Sequence, residues 1–456
     1  MSSARLTADV PAAPSAAYIP SSPRAERADA AEDQTPSVDG QVLTLAQCIK
    51  VALDRNPDTR MSWQQSRAAA AGVGQARSGY LPSADLFAGA SRSDPVTLDS
   101  PQDAGPSTTY DAGFSVRYLL FDGGERFAGL KGAEAELLDA NFRHNAALQD
   151  VALGVEEAYY LLLAAAQIES LAEQTVRQTQ SHVDVARARY ENGIVSKSDV
   201  LRAETEQAEA DLEMVRARSD VGIARGRLAN VMGISPSESF EVADLPEDPH
   251  RRELEDIKLL MAEAADDRPE LRAALARVES SRAGVKAANA RYWPEATLNA
   301  GYGWRDHTFV PELDEWFVGV GVALPLFDGL HRENSIRRAK AVLGEKTAEY
   351  DKLLQGVELE VWTAYSRLLE AGQAIDAAQA LVLSAEENAR LAEGEYKNGT
   401  GSIIEVTDAQ TSRTSANVRL VQARLGWYTA MARVERAVGR TSVHGTYGDA
   451  SGDDAP

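Results

Sequence analysis

Two short stretches 206 positions apart constrain this chain more than any other feature. They are Arg189-Tyr190-Glu191-Asn192-Gly193-Ile194-Val195-Ser196-Lys197-Ser198-Asp199-Val200 and Glu395-Tyr396-Lys397-Asn398-Gly399-Thr400-Gly401-Ser402-Ile403-Ile404-Glu405-Val406. Tyr, Asn, Gly, Ser, an acid and Val recur at matching places. Each stretch reads as one helix stopping and another starting. Asn-Gly suits a helix end, because Gly accepts the left-handed conformation there at no steric cost. Ser196 and Ser402 are natural N-caps, and Asp199 and Glu405 lie three residues on, near the new helix's positive end. Ser402 with Glu405 makes a full capping box. Ser196 with Asp199 falls short of one, since the shorter acid reaches back less well. A tight turn between two long helices occurs twice, so the chain reads as two copies of one unit.

Other landmarks repeat in the same order. Arg268-Pro269 matches Asn56-Pro57 and Tyr292-Trp293-Pro294 matches Tyr80-Leu81-Pro82, both at an offset of 212. Phe327-Asp328-Gly329 matches Phe121-Asp122-Gly123, and Gly439 matches Gly233, at 206. The length difference therefore falls inside the hairpin, in its loop, where a change is cheapest. The expected organisation is a flexible N-terminal segment (1–41), a first repeat (42–233), a linker (234–256), a second repeat (257–440) and a polar tail (441–456). Leu43-Thr44-Leu45-Ala46-Gln47 starts the first helix, with Thr44 and Gln47 as a capping box. Between Arg126 and Tyr190 there is no Pro. About 65 helical residues would span on the order of 100 Å. Leu148, Ala152, Val155, Tyr159, Leu162 and Ala166 step by fours and threes, a heptad seam that wants a partner helix. The helical hairpins turn at tips spanning 190–199 and 396–405.

After each Tyr-x-Pro the period switches to two, which predicts strands at about 84–92, 110–121, 296–305 and 316–326. Ala112, Phe114, Val116, Tyr118 and Leu120 fall on one face, opposite Asp111, Gly113, Ser115 and Arg117. Trp316, Val318, Val320, Val322 and Leu324 alternate with Phe317, Gly319, Gly321 and Ala323. Strands of about ten residues with one greasy face and aromatic ends match a transmembrane β-strand pattern. Four strands cannot close, and open edges are not tolerated in lipid. Pooling hairpins from three chains would give twelve strands, wide enough for an aqueous lumen. The competing fate of such strands is a small soluble sheet packed on the helices.

Composition removes several function classes. A net charge of −22 argues against nucleic acid as a partner. The single Cys48 excludes an internal disulfide and a zinc cluster, and its setting reads as a plain core position. Six scattered His and no nucleophile–base or phosphate-loop arrangement leave no catalytic site to name. The expectation is a non-enzyme with no cofactor and no metal. No uninterrupted apolar run approaches the ~18 residues of a spanning helix. No signal peptide is visible from Met1.

The duplicated order of these motifs resembles the TolC family of outer-membrane channels, over roughly residues 42–440. The carriers are Leu43 through Pro57, the Tyr-x-Pro entries, the Phe-Asp-Gly exits and the Tyr-x-x-Gly-x-x-Ser tips. The resemblance implies a mainly α fold with a small β part, two tandem repeats each of long coiled-coil helices and one β-hairpin. It implies a homotrimer, with a twelve-stranded barrel in outer-membrane lipid and an α-helical tunnel in the periplasm. It further implies an exit duct for an inner-membrane pump, joined through a periplasmic adaptor protein and passing small molecules. It implies a leader too, so either the start is misplaced or the leader has been removed. Adaptor contact carries over to Gly193, Ile194, Val195, Ser196, Gly399, Thr400, Gly401 and Ser402. The periplasmic gate carries over to Asp199, Tyr396, Glu405 and Asp408. Glu405 and Asp408 share a helix face, and three chains would set six carboxylates at the pore entrance. The family's gate also ties a Tyr at position 396 and an Arg at position 401 to Asp199. Here residue 401 is Gly, so that arm is missing. Type I protein secretion remains an alternative within the duct reading. A soluble coiled-coil scaffold is the alternative from another class.

Overall fold

The computed structural model describes residues 10–11, 13–19, 40, 42–93, 106–243, 256–309 and 314–440. The expected hairpin loop after residue 93 falls largely outside these residues, and the polar tail does so entirely. The described chain is mostly helical with a small sheet part. It divides into two compact units. One takes the described residues of Met1–Val10, Gln65–Asn141 and Ala273–Asp351, the other those of Pro11–Gln64, Phe142–Arg272 and Lys352–Pro456.

The first unit carries a four-stranded antiparallel sheet of β2 (Ser83–Ser93), β3 (Ser107–Phe121), β5 (Glu295–Asp306) and β6 (Asp314–Ala323), in that spatial order. Two hairpins, one per repeat, thus join through β3 and β5. Strand β6 stops at Ala323, short of the expected 326. The register puts Leu86 opposite Phe114, Phe114 opposite Tyr302 and Tyr302 opposite Trp316. Val116, Ala300 and Val318 form the next such row. Side chains at directly paired positions share a face, so the pairing gathers the greasy positions of all four strands on one side. A bulge between Leu119 and Phe121 ends the alternation before Leu120. On the other side Phe317 lies over Gly301, where a Cβ would collide with the ring, and a Cβ on Gly113 would strike the Tyr302 carbonyl oxygen and Gly303 Cα before the Phe87 ring.

The Phe-Asp-Gly and Tyr-x-Pro motifs close the sheet in the same way twice. After β3, Asp122 accepts from the Gly124 and Arg126 backbone N–H groups at 3.1 and 2.7 Å. It thereby caps α3 (Glu125–Glu191). Arg126 pairs with Asp122 at 3.0 Å, lies 5.0 Å over the Tyr80 ring and donates to the Leu119 carbonyl at 2.7 Å. After β6, Asp328 and Arg332 pair at 2.8 Å, and Arg332 lies 4.8 Å over the Tyr292 ring. Arg332 opens α7 (His331–Asn398). Gly123, at φ 66°, is the one residue type that fits its place: a Cβ would sit 2.6 Å from the Ala290 carbonyl oxygen.

The second unit is helical, apart from a parallel pair, β1 (Val42–Leu43) with β4 (Glu241–Val242), that the sequence reading did not foresee. Helix α1 (Leu45–Arg55) begins at the Thr44–Gln47 capping box. Its Cys48 is fully buried, and burial pushes the thiol up to about 12. The seam of α3 packs Leu148, Val155, Tyr159 and Leu162 against Leu53, Leu228 and Met232. Ala166 lies outside that seam and is exposed, while Ala165 is buried.

Part of the expected flexible segment holds a defined position. Asn145 and the Tyr18 backbone exchange hydrogen bonds at 2.6 and 2.7 Å, and Trp63 Nε1 donates to the Pro11 carbonyl at 2.9 Å. Buried His144 bridges Ser62 Oγ at 2.8 Å and the Ala16 carbonyl at 3.0 Å. The Ala/Pro/Ser composition suggested flexibility, but it left out the backbone groups that α2 (Pro57–Ser78) and α3 satisfy.

The Asn-Pro and Arg-Pro dipeptides pin the ends of the return helices, α4 (Lys197–Val231) and α8 (Ile403–Val438). Asn56 Nδ2 donates to the Val231 carbonyl at 2.8 Å. At the equivalent place Arg268 donates to the Ala437 carbonyl at 3.1 Å. Buried Arg268 also pairs with Glu270 at 3.1 Å and Glu360 at 3.0 Å, while buried Arg436 pairs with Glu270 and Asp150. Burial alone would raise the Glu270 pKa, but the Arg436 and Arg268 charges outweigh it and hold the carboxyl below its ordinary value.

Two outcomes follow from this joint. Arg268→Ala leaves buried carbonyls and Glu270 short of a donor, at a cost of about 3–5 kcal/mol. Asn56→Ala costs about 1–2 kcal/mol. Melting followed by helical circular dichroism should rank them in that order, and equal shifts would contradict the assignment. A carboxyl with a depressed folded pKa contributes stability at neutral pH that is lost as pH falls below its ordinary value of 4.5. The melting temperature of the parent should therefore fall more steeply below that pH than that of Glu270→Gln.

Candidate functional site

The two tips are built by backbone geometry first. Gly193 sits at φ 72°, with its N–H on the Tyr190 carbonyl at 2.9 Å and the Ile194 N–H on Arg189 at 2.9 Å. This is the double bond of a left-handed helix stop. Gly399 sits at φ 78° and closes α7 in the same way through Tyr396 and Glu395. The next helices then start on their caps. Glu405 Oε2 accepts from the Ser402 N–H at 2.8 Å, and Ser402 Oγ accepts from the Glu405 N–H at 3.3 Å. At the first tip Asp199 Oδ2 accepts from both the Ser196 N–H at 2.9 Å and its hydroxyl at 2.8 Å.

Under each tip lies a small apolar plug. Val183, Ala186, Val200 and Ala203 form the first. Ala389, Ala392, Tyr396, Ile403, Val406 and Ala409 form the second. What remains outside is Ile194, 68% exposed, and Ile404, 46% exposed, with Gly193, Ser196, Gly399, Thr400 and Ser402 also exposed. Val195 and Gly401 are half-buried. Most residues assigned to adaptor contact therefore present open surface, with the backbone turn behind them already satisfied.

The tips of the two repeats also meet. The Arg189 guanidinium lies 4.3 Å over the Tyr396 ring and donates to the Lys397 carbonyl at 3.1 Å. Below them Thr407 donates to Glu206 at 3.0 Å, linking α8 to α4. Gln178 of α3 donates to Glu393 at 2.8 Å and accepts from Gln410 at 2.7 Å and from Arg413. The sequence reading missed Arg189. A signal was present, since Arg189 in the first copy faces Glu395 in the second, a reversal of charge inside an otherwise shared motif.

Of the gate residues, Asp199 and Glu405 are engaged in their own caps. Asp408 is exposed, one turn beyond Glu405 on α8. Tyr396 is buried, and its hydroxyl has no partner within the described chain. The expected tie between Tyr396 and Asp199 is thus not made inside one chain: Tyr396 bears Arg189 on its face, and Asp199 bonds Ser196.

Known proteins match this arrangement over most of its length. The model of the family described as outer membrane efflux protein matches residues 48–234 and 260–440. Protein CyaE of Bordetella pertussis is 28% identical over 387 residues, covering 83% of this chain and 80% of that protein. The toluene efflux pump outer membrane protein TtgF of Pseudomonas putida is 26% identical over 419 residues, covering 87% of this chain and 83% of that protein. The solved structure of the outer-membrane channel OprN superposes with a TM-score of 0.77 at 22% identity, covering 87% of this chain and 89% of that one. The chain belongs to the outer membrane efflux protein family, the TolC family that its duplicated motifs resemble.

Proposed function

We propose that three copies of this chain form an outer-membrane exit duct of a tripartite efflux system. The duct passes small molecules expelled by an inner-membrane pump through a periplasmic adaptor. The observation that carries the reading is the four-stranded sheet, open along β2 and β6, with its apolar positions on one exposed face. Leu86 is 88% exposed, and Val318, Val320 and Val322 are 64–70% exposed. Such a surface is costly in water and fits acyl chains, provided its edges are paired. Three sheets closed edge to edge give a twelve-stranded barrel. Family membership and the efflux names among the relatives support the cargo class.

The helices carry matching unfilled surfaces. On α4, Leu201, Leu212, Val215 and Ile223 are exposed, and on α7, Leu359, Trp362, Leu369 and Leu383 are exposed. Beside Leu359 a groove of about 840 Å³ is floored by Gly356, Ala364, Ala371 and Gly426. One copy's α4 against the next copy's α7 is a head-to-tail contact, which closes as a ring at three. The tips then gather at one mouth, where Glu405 and Asp408 of each copy form an acidic ring that favours cations and binds divalent ions.

The decisive experiment is to place fluorescent labels at Val318 and Val320 in reconstituted protein. Quenching by lipid-borne quenchers and protection from aqueous ones is expected, with a trimer in detergent. Aqueous quenching of both positions, or a monomer, would sink the duct reading. For the ring, Glu405→Gln with Asp408→Asn removes charge while Gln at the third helix position keeps the cap. Planar-bilayer recordings should show weaker cation selectivity and loss of divalent block, and unchanged values refute the ring. At the other gate position, a Cβ on Gly401 would lie 3.0 Å from the Glu395 Cβ and 3.1 Å from the Tyr396 backbone nitrogen. An arginine there must push Glu395 aside but adds a donor at the mouth. Gly401→Arg should lower single-channel conductance, and equal conductance rejects Gly401 as a missing latch.

A further inference from the structure

In the helical unit, α3, α4 and α8 enclose a second groove, of about 350 Å³. Its floor is apolar, from Ile168, Leu171 and Ala172 on α3 and Val418 on α8. One wall is an acidic row on α4: Glu206, Glu209, Glu213 and Asp220, broken by Arg216. The spacing of threes and fours keeps these on one side of the helix. Arg216 pairs with Glu213, and Glu206 accepts from Thr407. Glu209 is exposed and has no ion pair among the described residues.

The opposite wall supplies an orphan. Gln410 is 3% exposed and lines this groove, and its Oε1 has no donor. Its orientation follows from its neighbours. Gln178 donates through its nitrogen to Glu393, so its oxygen must accept, and it accepts from Gln410 Nε2. The free end of Gln410 is therefore a carbonyl oxygen, a buried acceptor that ordinarily finds a partner. The Thr407–Glu206 bond sets α8 against α4, and one turn further Gln410 and Glu209 line the same groove.

We propose that this groove is a binding site for an amphipathic organic ammonium. The apolar body lies on Ile168, Leu171 and Val418. The charged N–H end is taken by the carboxylates at Glu209 and Glu213, with Gln410 Oε1 as a further acceptor. A neutral ligand forgoes the acids, and an anion is repelled by them. The exposed apolar seam of α4 runs along a different side of that helix from the acidic row, so a neighbouring copy seated on the seam leaves the groove open. The inference is independent of the duct reading, because binding is measured on solubilised protein without conduction.

The test is calorimetric titration of the full chain in nonionic detergent with 1-naphthylmethylammonium, with empty micelles as the blank. The neutral 1-naphthylmethanol and an amphipathic Lys/Leu/Ala helical peptide are the comparison probes. Saturable ammonium binding is expected, weakened about fivefold by Glu209→Gln. Gln410→Leu should weaken it too, and Ser415→Trp, which fills the groove from an exposed position, should abolish it. The alcohol should bind more weakly and ignore Glu209→Gln. No saturable ammonium binding, equal binding of amine and alcohol, indifference to Glu209→Gln, or binding of the peptide alone would each overturn the proposal.

Discussion

An antiparallel sheet of four strands leaves two rows of unpaired backbone donors and acceptors, and this single deficit governs the rest of the molecule. In water such edges are tolerated, since solvent bonds them. An apolar face such as that of Leu86, Val116, Val318 and Val320 is not comfortable there. In lipid the face is comfortable and the edges are not. Only a closed cylinder meets both demands, and the four strands of this sheet are too few to close one. The duplication within the chain is a partial answer. It doubles the hairpin and pairs the copies through β3 and β5, leaving β2 and β6 as the free ends.

Carrying strands of period two into helices of period 3.6 needs a rigid joint, and the same joint is used at both exits. A carboxylate caps the helix, an arginine four residues on bonds that carboxylate, and the guanidinium rests on the tyrosine of the preceding Tyr-x-Pro. Each group meets two needs at once. Asp122 satisfies orphan helix N–H groups and orients Arg126, and Arg126 in turn takes the carbonyls that the bulge at Leu119 frees from the ladder. The motifs are short because the chemistry is local, and they recur because the geometric problem recurs.

Much of this was legible in the residues. The tip turns, the Thr44 and Ser402 caps, the breaks at Pro57 and Pro269 and the alternation on the strands all rest on local rules, and the sequence states them directly. What escaped depended on groups distant in the chain. The parallel pairing of Val42–Leu43 with Glu241–Val242 involves two residues a side, too short to carry a period. The placing of Ala16 and Tyr18 depends on His144 and Asn145, which pattern alone cannot connect to an Ala/Pro/Ser segment. Within one chain Asp199 Oδ2 accepts from Ser196 and the Tyr396 ring carries Arg189.

The two copies agree where backbone geometry is set and diverge where charge faces another element. Gly193 and Gly399, Gly233 and Gly439, and Asp122 and Asp328 occupy equivalent places because left-handed turns and helix caps admit few residue types. Asn56 and Arg268 cap equivalent carbonyls by different means. The arginine brings a charge that the second copy balances with Glu270 and Glu360, and this ties α6 (Pro269–Ala290) to α7. At the tips the divergence is sharper. Arg189 and Glu395 stand at the same point of the repeat with opposite sign, and it is the Arg189 side that crosses to hold Tyr396 and Lys397 of the other copy. Glu395 makes no ion pair with Arg189 among the described residues; its backbone carbonyl instead accepts from the Thr400 and Gly401 N–H groups of its own turn. One position of the repeat thus serves two ends: in the first copy its side chain crosses to the other tip, and in the second its backbone closes the local turn.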